Sequence, residues 1–275
     1  MSQESDSFKA FEKAGWEERA STYTSRTEQI TGTLVPTILE HADIQPGQQV
    51  LELASGPGYG AAAIAGKGAE VTGTDFALAM VEEASRRNPG LTFEVADAEN
   101  LPYADASFDR AVCSFGVLHF ENPDRAFAEV ARILRPGGRF TFTVWGAVDS
   151  APFFNAVPTI VGKYGTLDVG LPPGPPVDRF SQREEARSAL AAQQLTLDTF
   201  IEGTVSAKMG PASEMPQVYR EMAVRTQGLL DAQPPEALAR VETELVRFFE
   251  PFEEDGIVVL PFPYCIISAH LDPQT

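Results

Sequence analysis

Val50-Leu51-Glu52-Leu53-Ala54-Ser55-Gly56-Pro57-Gly58-Tyr59-Gly60 is the stretch whose reading decides the fold. A short apolar run, Val50–Leu53, reads as a strand. It gives way directly to a glycine-rich turn, and the alanine-rich Ala61–Ala65 continues as a helix. Glycines at such a turn let the backbone bend sharply and approach a ligand closely. A glycine-rich strand-to-helix turn is shared by many nucleotide folds, so its meaning rests on the segments downstream of it.

Strand-like and helix-like segments alternate from here. Glu70–Thr74 reads as a second strand, and Phe76–Arg87 as a helix stopped by Asn88-Pro89-Gly90. Leu91–Val95 and Phe108–Ser114 read as the third and fourth strands. Pro123–Leu134 has helical periodicity and is broken by Arg135-Pro136-Gly137-Gly138 before a fifth strand, Arg139–Trp145. The order implies a doubly wound, mainly parallel, Rossmann-like α/β sheet of seven strands. Ligands on such sheets bind at the carboxyl ends of the strands.

After Trp145 the alternation lapses. Ala147–Arg179, with its Pro172-Pro173-Gly174-Pro175-Pro176 run, reads as a loop or partly ordered lid. Ser181-Gln182-Arg183-Glu184 fits a capping box opening a helix to about Ala192. Leu195–Lys208 and Gly256–Ala269 read as strands that complete the sheet, and Met215–Phe249 as amphipathic helix broken at Pro234-Pro235. The expectation is a single domain over 1–275. Its core covers about 36–147, 181–210 and 256–275, and an N-terminal helical segment covers 8–35. Insertions at about 148–180 and 211–255 form a mostly helical cap.

Acids fall where a nucleotide would need them. Asp75 ends the second strand, 75 − 52 = 23 residues beyond Glu52, where a carboxylate can accept ribose hydroxyls. Asp97 follows the third strand, placed to accept an adenine amino group, with the Ala98 N–H in reach of a ring nitrogen. Ser114 ends the fourth. Any single strand-end acid also serves as a cap; the succession is what points to a ligand.

These motifs resemble the class I S-adenosylmethionine-dependent methyltransferases. Val50–Gly58 is similar to their motif I, and Asp75 to their ribose-holding acid. Asp97-Ala98-Glu99-Asn100-Leu101-Pro102-Tyr103, Ser107-Phe108-Asp109 through Leu118-His119, and Leu134–Arg139 are similar to the subgroup of quinone-biosynthesis small-molecule methyltransferases. The resemblance covers Trp16 to Trp145 closely. It implies S-adenosylmethionine as cofactor, held by Tyr23, Glu52, Ala54, Gly56, Gly58, Asp75, Phe76, Asp97, Ala98 and Ser114, and methyl transfer to a small, mostly apolar molecule. Tyr23, with Trp16 on an N-terminal helix, would reach the methionine carboxylate or simply pack. Phe115 and Phe76 are candidates to face the sulfonium. Two positions depart from the family: Glu52 stands where Asp is usual, and Ala54 where Gly is frequent.

A transferring enzyme that removes a proton needs a base. Of His41, His119 and His270, His119 follows the fourth strand at the ligand edge and is the candidate; His270 is second, and His41 reads as structural. No metal site is expected: no Cys/His cluster exists, and Asp149 is a lone acid. Cys113 and Cys265 read as buried thiols. A cyclase that retains the cofactor uses the same motifs and stands as the alternative. A nicotinamide oxidoreductase has no use for Asp97, and a pure binding module would bind without turnover. The net charge of −18 disfavours nucleic acid and anionic membrane as partners. No apolar run approaches a membrane span, and the polar N-terminus has no signal-peptide pattern, so a cytoplasmic location is expected. A homo-oligomer is compatible with the sequence.

Overall fold

The computed structural model describes residues 7–20 and 30–272. Strands β1 (Gln49–Leu53), β2 (Glu70–Asp75), β3 (Thr92–Val95), β4 (Phe108–Ser114) and β5 (Leu134–Trp145) are parallel neighbours in the order β3-β2-β1-β4-β5. β6 (Leu195–Lys208) and β8 (Ile257–Leu271) extend this sheet, with β8 antiparallel to both β5 and β6. The two-residue β7 (Glu253–Glu254) pairs only with β8. Because these strands are parallel, the turns after β1, β2, β3 and β4 lie along one edge, and the strand order reverses there between β1 and β4.

Alternation along each central strand explains the two covered faces. Leu51, Leu53 and Ala111 point to one side, where Phe127, Phe140 and Phe142 join them. Val50 and Val112 point to the other, against Ile38, Leu39 and Ile64. The first side is covered by α5 (Pro123–Ile133) and α7 (Arg183–Ala191), the second by α2 (Val35–Ala42) and α3 (Tyr59–Gly66). α5 starts sharply because Pro123 occupies its first turn and the Asn122 side chain accepts from the Arg125 N–H. α4 (Leu78–Arg87) flanks β3, and α1 (Phe8–Arg19) packs against α4.

β5 ends at Trp145, which pairs with Tyr264 of β8, while β8 and β6 continue together as far as Val259 and Lys208. Their shared ribbon therefore projects past the ligand edge. It carries a separate apolar cluster, Val258, Leu260 and Phe262, covered by α6 (Pro152–Tyr164), α8 (Met215–Met222), α9 (Val224–Asp231) and α10 (Pro235–Phe249). Phe153 stacks on Tyr219 with ring centroids 4.6 Å apart, and the buried Tyr219 hydroxyl donates to the Phe153 carbonyl at 2.5 Å.

Several local expectations are corrected. Ala147–Arg179 is not all loop. Pro152 opens α6, and Phe153, Ala156, Val157, Ile160 and Val161 form its buried stripe, with Pro158 inside the helix. The helical spacing was present, masked by flanking prolines. The capping box at Ser181 does not form: Gln182 is the N-cap of α7, without a side-chain bond, and Glu184 and Glu185 in the first turn favour the helix dipole instead. β5 begins at Leu134, so Arg135–Gly138 forms an irregular strand start with a register shift opposite β4, not a separate turn. The 215–249 helix breaks at Ala223, whose extended backbone ends α8, as well as at Pro234.

Candidate active site

The turn after β1 has three left-handed residues: Ala54 at φ 49°, Gly56 at 51° and Gly58 at 82°. It is tied to the end of β2. The Ser55 N–H donates to the Thr74 carbonyl at 2.9 Å, and the Thr74 hydroxyl donates to the Glu52 carbonyl at 3.0 Å. Asp75 is buried and accepts from the Gly56 and Ala77 N–H groups, each at 3.0 Å. Burial nevertheless pushes its carboxyl up to about 6.

Glu52 is also buried, and desolvation pushes its carboxyl up to about 8, opposed by a hydrogen bond from the Ala61 N–H of α3. α3 has no side-chain N-cap of its own, since its N-cap is Gly58. Both departures from the family pattern are accommodated by a facing glycine. A Cβ on Gly60 would lie 1.8 Å from Glu52 Oε1, so the longer acid occupies the space of that absent methyl. A Cβ on Gly116 would lie 2.5 Å from the Ala54 methyl, which fills the corresponding gap there.

Asp97 lies on the same edge, with Ala98 beside it and Phe76 at the end of β2, all lining one cleft. The structure gives Asp97 a partner that sequence reasoning missed. Lys9 of α1 donates to Asp97 Oδ2 at 2.8 Å and pairs with Glu99 at 2.9 Å. Asp97 Oδ1 accepts from the Glu99 N–H at 2.9 Å. α1 is fixed a second time by Glu17, whose carboxylate accepts from the Leu78 and Ala79 N–H groups at 2.7 and 2.8 Å, capping α4.

Glu52 Oε2, Ser55 Oγ and Ser114 Oγ are buried and have no hydrogen-bond partner among the described residues. All three residues line the cleft. Buried polar groups of this kind ordinarily have partners. A buried carboxyl and two hydroxyls facing one cleft match the ammonium and carboxylate of a methionine-type ligand tail, and Asp75 and Asp97 match the nucleoside end. The donor set thus fits S-adenosylmethionine. Tyr23 lies outside the described residues.

The cleft adjoins a cavity of about 540 Å³ between the sheet edge and the helical cap. Trp16, Phe115 and His119 line both. The cavity wall carries a run of aromatic side chains, including Phe8, Trp145, Phe153, Phe154 and Phe262, with polar groups at Asp149, Asn155, Thr226 and Arg225. Phe115 stands at φ 53°, a costly conformation without glycine, and packs on Trp145 with centroids 4.1 Å apart. His119 meets the buried Glu12 of α1: its Nδ1 is 2.8 Å from Glu12 Oε2, which also accepts from the Trp16 indole N–H at 3.2 Å. His270 pairs across β8 with Arg139 at the start of β5, the opposite end of the sheet from the ligand edge, and contacts Asp198 and Asp272. It takes no part in the site. His41 is in the last turn of α2, away from the cleft lining.

Glu12 had a readable signal. Phe8, Glu12 and Trp16 recur every four residues on the buried stripe of α1, and an acid inside an apolar stripe asks for a partner.

A family model described as a methyltransferase domain matches residues 51–142. The ubiquinone/menaquinone biosynthesis C-methyltransferase UbiE of Bdellovibrio bacteriovorus is 32% identical over 184 residues, covering 62% of this chain and 75% of that one. A demethylmenaquinone methyltransferase of Paenarthrobacter aurescens is 34% identical over 134 residues, 46% of this chain and 53% of that one. The chain thus spans about half the length of the demethylmenaquinone methyltransferases it matches. Among solved structures, the YcgJ protein of Bacillus subtilis superposes with a TM-score of 0.59 at 20% identity, covering 88% of this chain and 100% of that one, which bears on the fold. With the strand order, the β1 turn and the cleft acids in agreement, the chain belongs to the class I S-adenosylmethionine-dependent methyltransferases of the quinone-biosynthesis type.

Proposed function

We propose that this protein transfers a methyl group to a small, mostly apolar, ring-containing acceptor held in the cavity under the helical cap. The observation that carries the reading is the shared wall. Trp16, Phe115 and His119 line both the cofactor cleft and the 540 Å³ cavity, so a group entering from either side meets the other there. The aromatic lining favours a flat ring, and the names of the relatives point to a quinone-type nucleus.

In this reading Asp75 receives the ribose hydroxyls, and Asp97 with the Ala98 N–H receives the adenine. Glu52, Ser114 and the Ala54–Gly58 turn hold the methionine end, and Phe76 covers the nucleoside. Tyr23 is assigned to the methionine carboxylate. When bound, S-adenosylmethionine supplies an electrophilic methyl on a positively charged sulfur. The chain's own contribution is alignment, exclusion of water and electrostatics. The aromatic faces of Trp16 and Phe115 favour a cation at the joint.

No helix among the described residues is long and apolar enough to cross a membrane. We place the protein in the cytoplasm, acting on a small molecule. Its charge of −18 opposes nucleic acid as substrate. Incubation with methyl-labelled S-adenosylmethionine and a panel of alkylated hydroquinones and catechols tests the reading. Product masses one methylene higher, with label retained, are the expected result. A rearranged skeleton without mass gain would establish the cyclase instead. Tight cofactor binding with no conversion across the panel would count against both.

A further inference from the structure

α1 brings an acid to the one histidine at the joint of cleft and cavity. Glu12 is 2% exposed, and its Oε2 lies 2.8 Å from His119 Nδ1. The same oxygen is held by the Trp16 indole at 3.2 Å, and the Trp16 ring meets the imidazole edge-on at 4.9 Å. The ring is therefore fixed in both direction and tilt. A carboxylate only accepts, so Nδ1 carries a proton, and in the neutral imidazole Nε2 is left with its lone pair free. Nε2 has no hydrogen-bond partner among the described residues, and His119 lines both spaces. The other acid near the ring, Asp75, is occupied by the Gly56 and Ala77 N–H groups.

We infer that Glu12 and His119 form a carboxylate–imidazole pair in which His119 Nε2 removes the hydroxyl proton of a phenolic acceptor, and Glu12 is the positioning residue that fixes the reactive tautomer. The inference rests on the methyl-transfer reading for its substrate and adds the chemical class: an acceptor with an O–H to lose. The O–H bond breaks, its proton goes to Nε2 and its electron pair stays on the acceptor. The acceptor then bonds to the methyl as the sulfur–methyl bond breaks, with that pair remaining on sulfur. The positive charge passes from sulfur to the imidazolium, where Glu12 balances it, until water takes the proton. If the new bond is to a ring carbon, the displaced ring proton goes to water and the imidazolium returns its proton to the ring oxygen.

Nitrogen-15 NMR of the cofactor-free protein tests the pair independently of any substrate, with H119Q identifying the His119 signals. The expected result is a protonated Nδ1 and an unprotonated Nε2 in wild type, and a mixed tautomer population in E12Q. A protonated Nε2 in wild type, or an unchanged pattern in E12Q, would overturn the assignment. Turnover supplies the second arm, with catechol and 4-nitrocatechol as probes, the latter ionised near neutral pH. H119Q should lower kcat for catechol by about 10²-fold or more, and for 4-nitrocatechol by less than about 5-fold. E12Q should follow the same order with a smaller loss, about 10-fold for catechol, and KM little changed. Equal losses for both acceptors would make His119 a structural residue. Absence of turnover with either probe would speak to the methyl-transfer reading alone, because the tautomer measurement stands without it.

Discussion

Gly60→Ala is the most exacting perturbation of the cofactor loop. In the first turn of a helix, alanine ordinarily stabilises by up to ~1 kcal/mol over glycine. Here the added Cβ would lie 1.8 Å from Glu52 Oε1 and 2.9 Å from its Cδ. Glu52 is buried, so its carboxyl must rotate within a packed site. Overpacking of this kind costs about 1–3 kcal/mol. Loss of the Ala61 N–H bond to Glu52 would leave a buried donor unsatisfied, worth roughly a further 1–3 kcal/mol. Against the helix gain, the net should be a destabilisation of about 1–5 kcal/mol. Glu52→Asp alone removes one methylene and should cost about 1 kcal/mol. Together they should compensate, because the shorter acid draws its oxygens back toward the present Cδ position and the new methyl fills the vacated room. Urea unfolding of the four proteins, at a pH below 7 so that the carboxyl state is common to all, yields the coupling energy. It should reach about 2 kcal/mol in the compensating direction. A Gly60→Ala protein at least as stable as wild type, or strictly additive effects, would refute the complementarity of Glu52 and Gly60.

The raised Glu52 carboxyl gives a signed pH dependence. Its folded value, about 8, exceeds the ordinary carboxyl value, so its contribution to stability is complete below about pH 4.5 and is lost as pH rises toward 8. Asp75, at about 6, acts in the same sense. Thermal melts of the cofactor-free protein between pH 5 and pH 8.5 should show this loss, and Glu52→Gln should flatten it. Cofactor binding, by bringing an ammonium to Glu52, should release close to one proton near pH 7, seen as a buffer-dependent calorimetric enthalpy that Glu52→Gln abolishes. Lys9→Met removes the cation that holds Asp97 and Glu99. It should tighten cofactor binding by about 2–5-fold, the scale of a half-exposed ion pair, measured by calorimetry. Tyr219→Phe deletes the buried hydroxyl bonded to the Phe153 carbonyl and should lower stability by about 1–2 kcal/mol in chemical unfolding.

The central α/β architecture was legible because each parallel strand announces itself as a short apolar run closed by a turn. Asp75, Asp97 and Ser114 were legible for a related reason: the fold places strand ends on one edge, so position in the chain translates into position in the site. The cap was legible only as helical content. Its helices are set by a hydrophobic cluster spanning Phe153, Tyr219, Leu245 and Phe262, contacts between residues far apart in sequence. α6 was hidden because prolines at 152 and 158 read as breakers, although one sits at the tolerated first turn. Glu52 and Ala54 were visible as anomalies, but their partners Gly60 and Gly116 were not. A glycine required by a neighbouring side chain looks the same in sequence as one required by φ.

α1 is where the two sites become one thermodynamic object. It has 12 residues, a length at which an isolated helix is marginal, and its buried stripe includes Glu12 and Arg19 beside Phe8 and Trp16. Its helical state therefore depends on docking, and the docking is polar as much as apolar: Lys9 on Asp97 and Glu99, Glu12 on His119, Glu17 on the start of α4, and Arg19 on the Arg220 carbonyl. The first anchor competes with the adenine that Asp97 is assigned to receive. The second creates the tautomer that an acceptor hydroxyl needs. A nucleoside that displaces Lys9 loosens one end of the helix while the aromatic joint, filled by a cation, strengthens the middle. Because coupling free energies are reciprocal, any change in α1 docking caused by cofactor must appear, by the same factor, as a change in cofactor affinity when α1 is perturbed. Weakening the Glu17 anchor, which itself lies outside the cleft and cavity linings, probes that coupling: it reaches the cofactor through the position of α1 and through the start of α4, where Phe76 and Met80 line the cleft.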